Sequence, residues 1–218
     1  DNWGRLVFSS NSNPAIGLFV PPRYFGSGAD KDAHRSSMSA VRPLGDHGSV
    51  WPAMVTPDLQ SGPGLARGDG SLRMFTAACG QSVFRGDRLG EDVEGDYFVS
   101  EPVGRLVRRS QVGYPDSGHI ELSNRHEGDI GEFITSTDGN FRPVNTYTGP
   151  DGCLYIVDMY RGIIQDKAFI TPYLHEQILK FGYQKSIGRG RIYRVVRDGV
   201  KPGPKPQLLD AEPTELVE

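Results

Sequence analysis

What this chain has little of narrows its reading first. Only two cysteines occur in 218 residues, Cys79 and Cys153. They lie in different segments and form neither a CxxC nor a CxxCH pattern, so no haem attachment is spelled out here. The plain reading of both is a small, buried apolar side chain. No apolar run approaches the ~20 residues that a membrane-spanning helix needs. Charge of one sign is also lacking: 24 Lys and Arg face 27 Asp and Glu, for a net charge of −3. The arginines are scattered along the chain, so no nucleic-acid partner is implied. A DxDxDG calcium loop is missing too, and the Gly-Pro-Asp-Gly at 149–152 is turn chemistry. The opening "DNWGRLVFSS" reads as the middle of a domain, so any targeting signal is expected further upstream.

What is abundant is Gly and Pro, 28 and 16 residues, about a fifth of the chain and well above ordinary usage. With 37% hydrophobic residues set in short runs, this predicts a turn-rich, all-β fold. Three segments share one grammar, in which a polar turn with Gly leads into a β-branched and aromatic run. They are "DNWGRLVFSS", "EGDYFVSEP" and "PDGCLYIVDMY". The second is followed by "GRLVRRS" and the third, after an insertion, by "GRGRIYRVVRDG". Each alternates as a half-buried strand does. Further strands precede them in "SLRMFTAACGQSVFRG" and "FRPVNTYTG". A unit of three or four short antiparallel strands in about 40–60 residues fits a propeller blade. A sandwich with long loops fits the same pattern.

Residues 20–70 are rich in Pro, Gly, Ser and charge, and read as a long excursion over one face. Trp51-Pro52 and Pro22 to Tyr24 mark parts of it that pack. One helix is predicted in "TPYLHEQILKFGYQ", with Thr171 as N-cap, Pro172 at its first position and Gly182 as its stop. The tail "KPGPKPQLLDAEPTELVE" is a Pro-rich linker. The reading is therefore residues 1–200 as β-propeller blades and 201–218 as a linker, to which the family likeness given next adds a helical-repeat domain beyond it.

Three stretches carry a family likeness: "FTAACGQSVFRGDRLGEDVEGDYFVSEPVGRLVRR", "EFITSTDGNFRPVNTYTGPDGCLYIVDMYRGIIQ" and "TPYLHEQILKFGYQKSIGRGRIYRVV". Together they resemble the propeller region of large planctomycete and verrucomicrobial proteins known as membrane-bound dehydrogenase domains. Those proteins are related to glucose/sorbosone dehydrogenases and fused to HEAT-type repeats, often with a cytochrome c. The resemblance implies about half of a six-bladed propeller. It also implies a periplasmic or extracytoplasmic location and oxidation of a sugar or other alcohol. The cofactors implied are pyrroloquinoline quinone (PQQ) and calcium, with a fused or separate cytochrome c as electron acceptor.

That chemistry needs cations for three carboxylates, oxygen ligands for calcium and a base of near-neutral pKa. On this reading "RPVNTYTG" and "TAACGQSVF" are innermost strands, which makes Arg142, Asn145, Gly80 and Gln81 the cofactor-binding candidates. Gly80 would admit a ligand or a neighbouring backbone. Asn11 and Asn13 are the metal candidates, against their ordinary use as turn formers. Asp138, Asp158 and Arg161 complete the set. The favoured reading of Arg142 with Asp138, and of Asp158 with Arg161, is a structural ion pair, and Asp138 with Asp158 is the one carboxylate pair we name for a hydrolase. None of the five histidines, His34, His47, His119, His126 and His175, sits in a motif that names it as the base, and His119 and His126 fall in "SGHIELSNRHEGDI", read as a loop between blades. The rival reading is a non-catalytic propeller that binds carbohydrate or a protein partner.

Overall fold

In a computed structural model, residues 6–18, 41–45, 48–60, 62–114, 120–126, 128, 130–204 and 209 are described. The short β-branched and aromatic runs between Gly and Pro breaks form eleven strands within these residues. They are β1 (Val7–Ser10), β2 (Asn13–Leu18), β3 (Val41–Pro43), β4 (Cys79–Val83), β5 (Tyr97–Glu101), β6 (Leu106–Gly113), β7 (Glu121–Asn124), β8 (Ile134–Thr135), β9 (Pro143–Thr148), β10 (Leu154–Asp158) and β11 (Arg191–Val195). They make three antiparallel sheets, with strand orders β1-β2-β3, β4-β5-β6-β7 and β11-β10-β9; β8 also pairs with β6. One α-helix, α1 (Pro172–Phe181), lies between β10 and β11.

The all-β expectation holds, and the helix predicted over this segment is present, alone among the described residues. Thr171 Oγ1 accepts from the Leu174 N–H, and Gly182 ends the helix at φ 69°. That left-handed turn is one that glycine adopts at little cost. Leu174 and Ile178 then bury one face of α1 beside Tyr183.

The alternation expected of every strand fails at β5, where all five residues are buried. Tyr97 and Val99 enter one apolar cluster with Leu72, Phe75 and Leu106. Phe98 points the other way, into a second cluster with Phe84, Val107, Leu154 and Ile156. Phe84 and Phe133 meet the Phe98 ring edge-on, at centroid separations of 6.2 and 5.1 Å. β5 is therefore covered on both faces and couples two cores. The Tyr97 hydroxyl donates to the Pro14 carbonyl at 2.6 Å and ties the same strand to the first sheet.

The sheets also meet through their strand edges. β4 and β9 run side by side in the same direction, because their contacts advance together. Gly80 lies against Val144 and Asn145, the Ser82 and Thr146 hydroxyls meet at 2.7 Å, and the Arg85 N–H donates to Thr148 Oγ1 at 3.0 Å.

Two expectations need correction. The 20–70 excursion is not wholly a face loop, since Val41–Pro43 pairs with β2 as a third strand. Val50, Thr56, Asp58 and Leu59 are buried, and Arg67 caps the Trp51 ring at 4.1 Å. The stretch around Ile120 is not only a loop, because Glu121–Asn124 forms β7 on the edge of β6. These strands are short and polar, so the partner strand determines them more than their own composition does.

Candidate functional site

The entry ends of β4 and β9 converge on a buried ionic cluster. Arg142 directly precedes β9 and is fully buried. Its side chain donates to Asp58 Oδ2 at 2.5 Å and to the carbonyls of Pro102, Arg161 and Gly162 at 2.8–2.9 Å. Asp58 Oδ1 accepts from Arg105 Nη2 at 2.8 Å, and Arg105 also reaches the carbonyls of Val103 and Gly139. One carboxylate thus bridges two guanidiniums. Burial pushes the Asp58 pKa up, but the charges and hydrogen bonds of Arg142 and Arg105 outweigh it and hold it below the usual range. Arg105 holds a left-handed backbone, φ 58°, in the turn between β5 and β6. A non-glycine residue persists there only when its surroundings over-determine it.

Beside this cluster opens a cleft of about 520 Å³. Its polar lining is neutral: Asn11, Ser12, Gln60, Thr76 and Gln165. Its apolar wall includes Leu65, Phe75, Val103 and Ile164, and among the described residues no lining side chain is charged. Glu101 stitches this wall together from behind. Its Oε2 accepts from the Thr76 and Ala77 N–H groups at 2.8 and 2.9 Å, and its Oε1 accepts from the Val103 N–H at 3.1 Å. Complete burial pushes its pKa up to about 7, against those backbone donors, which pull it down. Cys79, next to it, is raised to about 11 by burial and then by the Glu101 charge. Both cysteines are free thiols.

The candidates from the sequence fall into three groups. Gly80, Gln81 and Asn145 are brought together on β4 and β9. What approaches Gly80 is backbone: a Cβ there would lie 1.9 Å from the Val144 carbonyl oxygen, and φ is +59°. Gln81 accepts from Ser9 Oγ at 2.8 Å, and Asn145 donates to the Tyr147 hydroxyl at 2.7 Å. Asn11 reaches the cleft, whereas Asn13 turns back to Ser10 Oγ at 3.4 Å. Arg142 pairs with Asp58, not Asp138.

Asp138 instead accepts from the Tyr160 hydroxyl at 2.8 Å and from the Asn140 N–H. Asp158 takes no pair with Arg161; its Oδ1 accepts the backbone N–H groups of Arg142 and Tyr160 at 2.8 and 2.7 Å. Arg161 contributes its carbonyl to Arg142. Asp138 and Asp158 therefore share Tyr160, one through its hydroxyl and the other through its backbone N–H. His175 is exposed on α1, and His126 packs beside Phe133 with its buried Nε2 unpartnered. His34, His47 and His119 lie outside the described residues.

The residues missed from sequence are Asp58, Arg105 and Glu101, with the cleft residues Gln60, Thr76 and Gln165. Asp58 sits in a Pro/Gly-rich stretch, with partners 47 and 84 residues away. Glu101 carried a signal, a carboxylate closing an otherwise apolar run before Pro102.

The described residues do not fit a quinone with three carboxylates. The donors of Arg142 are directed to Asp58 and three carbonyls, and the cleft offers no cation. Among the described residues no group of three His, Cys, Asp or Glu side chains gathers.

The family model described as a domain of unknown function, DUF7133, matches residues 1–199. The chain belongs to the DUF7133 family. No curated protein and no solved structure matches it. The match spans all eleven DUF7133 strands described above, the cleft and the Asp58 cluster. No helix among the described residues is long and apolar enough to cross a membrane.

Proposed function

We propose that the three sheets are successive blades of a β-propeller and that the cleft binds an uncharged carbohydrate. The blade reading is supported by β4 and β9, the first strands of two meanders, lying parallel and adjacent as innermost strands of neighbouring blades do. The ligand class rests on one observation, the lining of the cleft. Amides and hydroxyls from Asn11, Gln60, Thr76 and Gln165 stand over an apolar wall, with no charged side chain among the described lining residues. Such groups match the hydroxyls and C–H faces of a sugar, and a few placed polar groups in an apolar cleft are the ordinary makeup of a small-molecule site.

The test is calorimetric titration of neutral mono- and disaccharides into the chain. Saturable binding is expected, weakened about two- to tenfold by Thr76→Val or Gln165→Leu, the worth of one hydrogen bond. No binding by any neutral sugar would overturn the ligand class.

A further inference from the structure

Residues 180–201 carry seven Lys and Arg against a single acid, Asp198, a segment of +6 within a chain of net charge −3. The scatter of arginines seen along the whole sequence hides this concentration. The segment is also laid open. β11 is exposed over four of its five residues, although its neighbour β10 buries alternate side chains. Large apolar side chains are exposed with the cations: Phe181 45%, Ile187 67%, Ile192 66% and Val196 48%.

The edge of β11 is open as well. In the neighbouring sheet the third strand, β6, carries β7 and β8 on the edge away from β5. β11 holds the same third place after β9 and β10, yet among the described residues it pairs only with β10. A strand with unpaired N–H and C=O groups is a template for another strand, and Arg and Lys around it set the charge of what docks.

We infer that the outer edge of β11 is a docking edge for an acidic, extended polypeptide that adds to the sheet as its fourth strand. Main-chain hydrogen bonds supply the attachment, and alternate side chains supply the selectivity. The incoming carboxylates meet Lys185, Arg189 and Arg191, and the apolar residues between them meet Ile187 and Ile192. Arg194 is partly committed to Asp151 at 3.2 Å and Arg191 stacks on the Tyr160 ring at 3.5 Å, so the selecting charge comes chiefly from Lys185 and Arg189.

The probe is a fluorescein-labelled eight-residue peptide alternating glutamate and valine, read by anisotropy with the full chain. Saturable binding that weakens with salt is expected, and the double variant Lys185→Glu/Arg189→Glu should lose it. The same peptide N-methylated on alternate residues keeps its charge but cannot complete a ladder, and is expected to bind at least about tenfold more weakly. Equal binding of the methylated peptide would overturn strand addition in favour of diffuse attraction. Capture of the chain by vesicles of phosphatidylserine, with no peptide binding, would overturn it in favour of a membrane surface. Concentration-dependent self-association that blocks the peptide would assign the edge to a second copy of the chain.

Discussion

At the scale of single residues, Asp58 governs the most. It compensates two buried guanidiniums, and removing one partner of a buried ion cluster leaves uncompensated charge at a cost of about 3–5 kcal/mol. Asp58→Ala is expected to lower stability by that order in urea denaturation, with Asp58→Asn recovering only part. Gly80→Ala is expected to be destabilised by about 1–3 kcal/mol, since the new methyl would meet the Val144 carbonyl and φ is +59°.

Glu101 has a pH signature. Its folded pKa, about 7, stands above its ordinary 4.5, so the folded state holds the proton more tightly than the unfolded chain. Its contribution is fully present below about pH 4.5 and is lost as pH rises through about 7. The excess in melting temperature of the wild type over Glu101→Gln is therefore expected to be larger at pH 5 than at pH 8. An unchanged difference would refute this assignment.

At the scale of elements, much of the fold was legible. β4, β5, β6, β9, β10, β11 and α1 each announce themselves by an apolar run with Gly or Pro punctuation. The helix ends were legible because capping is local chemistry: Thr171 and Gly182 act on their own neighbours. Thr171→Ala is expected to cost about 1 kcal/mol, visible as faster amide exchange in the first turn of α1. β3 and β7 were not legible, because Val-Arg-Pro and Glu-Leu-Ser-Asn become strands only through β2 and β6. The cluster around Arg142 was half legible. The arginine stood out as a charge without a place in a core, but nothing local could name Asp58 as its partner over Asp138.

At the scale of the whole molecule, β5 matters because it belongs to two cores at once. Phe98→Ala opens a cavity at the contact with Phe84 and Phe133, and is expected to cost about 3–5 kcal/mol. Because Tyr97 and Phe98 point into different clusters, the loss should lower one shared transition. Far-UV and near-UV circular dichroism should still report coincident midpoints. Separate midpoints would show that the two cores unfold independently. The parallel contact of β4 with β9 works at the same scale, since it sets the entry ends side by side and so places the cleft beside the Asp58 cluster.

The Asp58 bridge also has a bearing on time. Its partners stand 47 and 84 residues away along the chain, so it cannot close until the turn after β5 and the entry to β9 have already met. Contacts of such sequence separation are slow to form, and this one needs three distant segments in register at once. The bridge is therefore expected to be absent from the folding transition state and to act as a latch on the finished fold. In stopped-flow experiments Asp58→Ala should leave the refolding rate nearly unchanged and take its whole effect as faster unfolding. The carboxylate would then set how long the folded chain persists, with little influence on how quickly it is made.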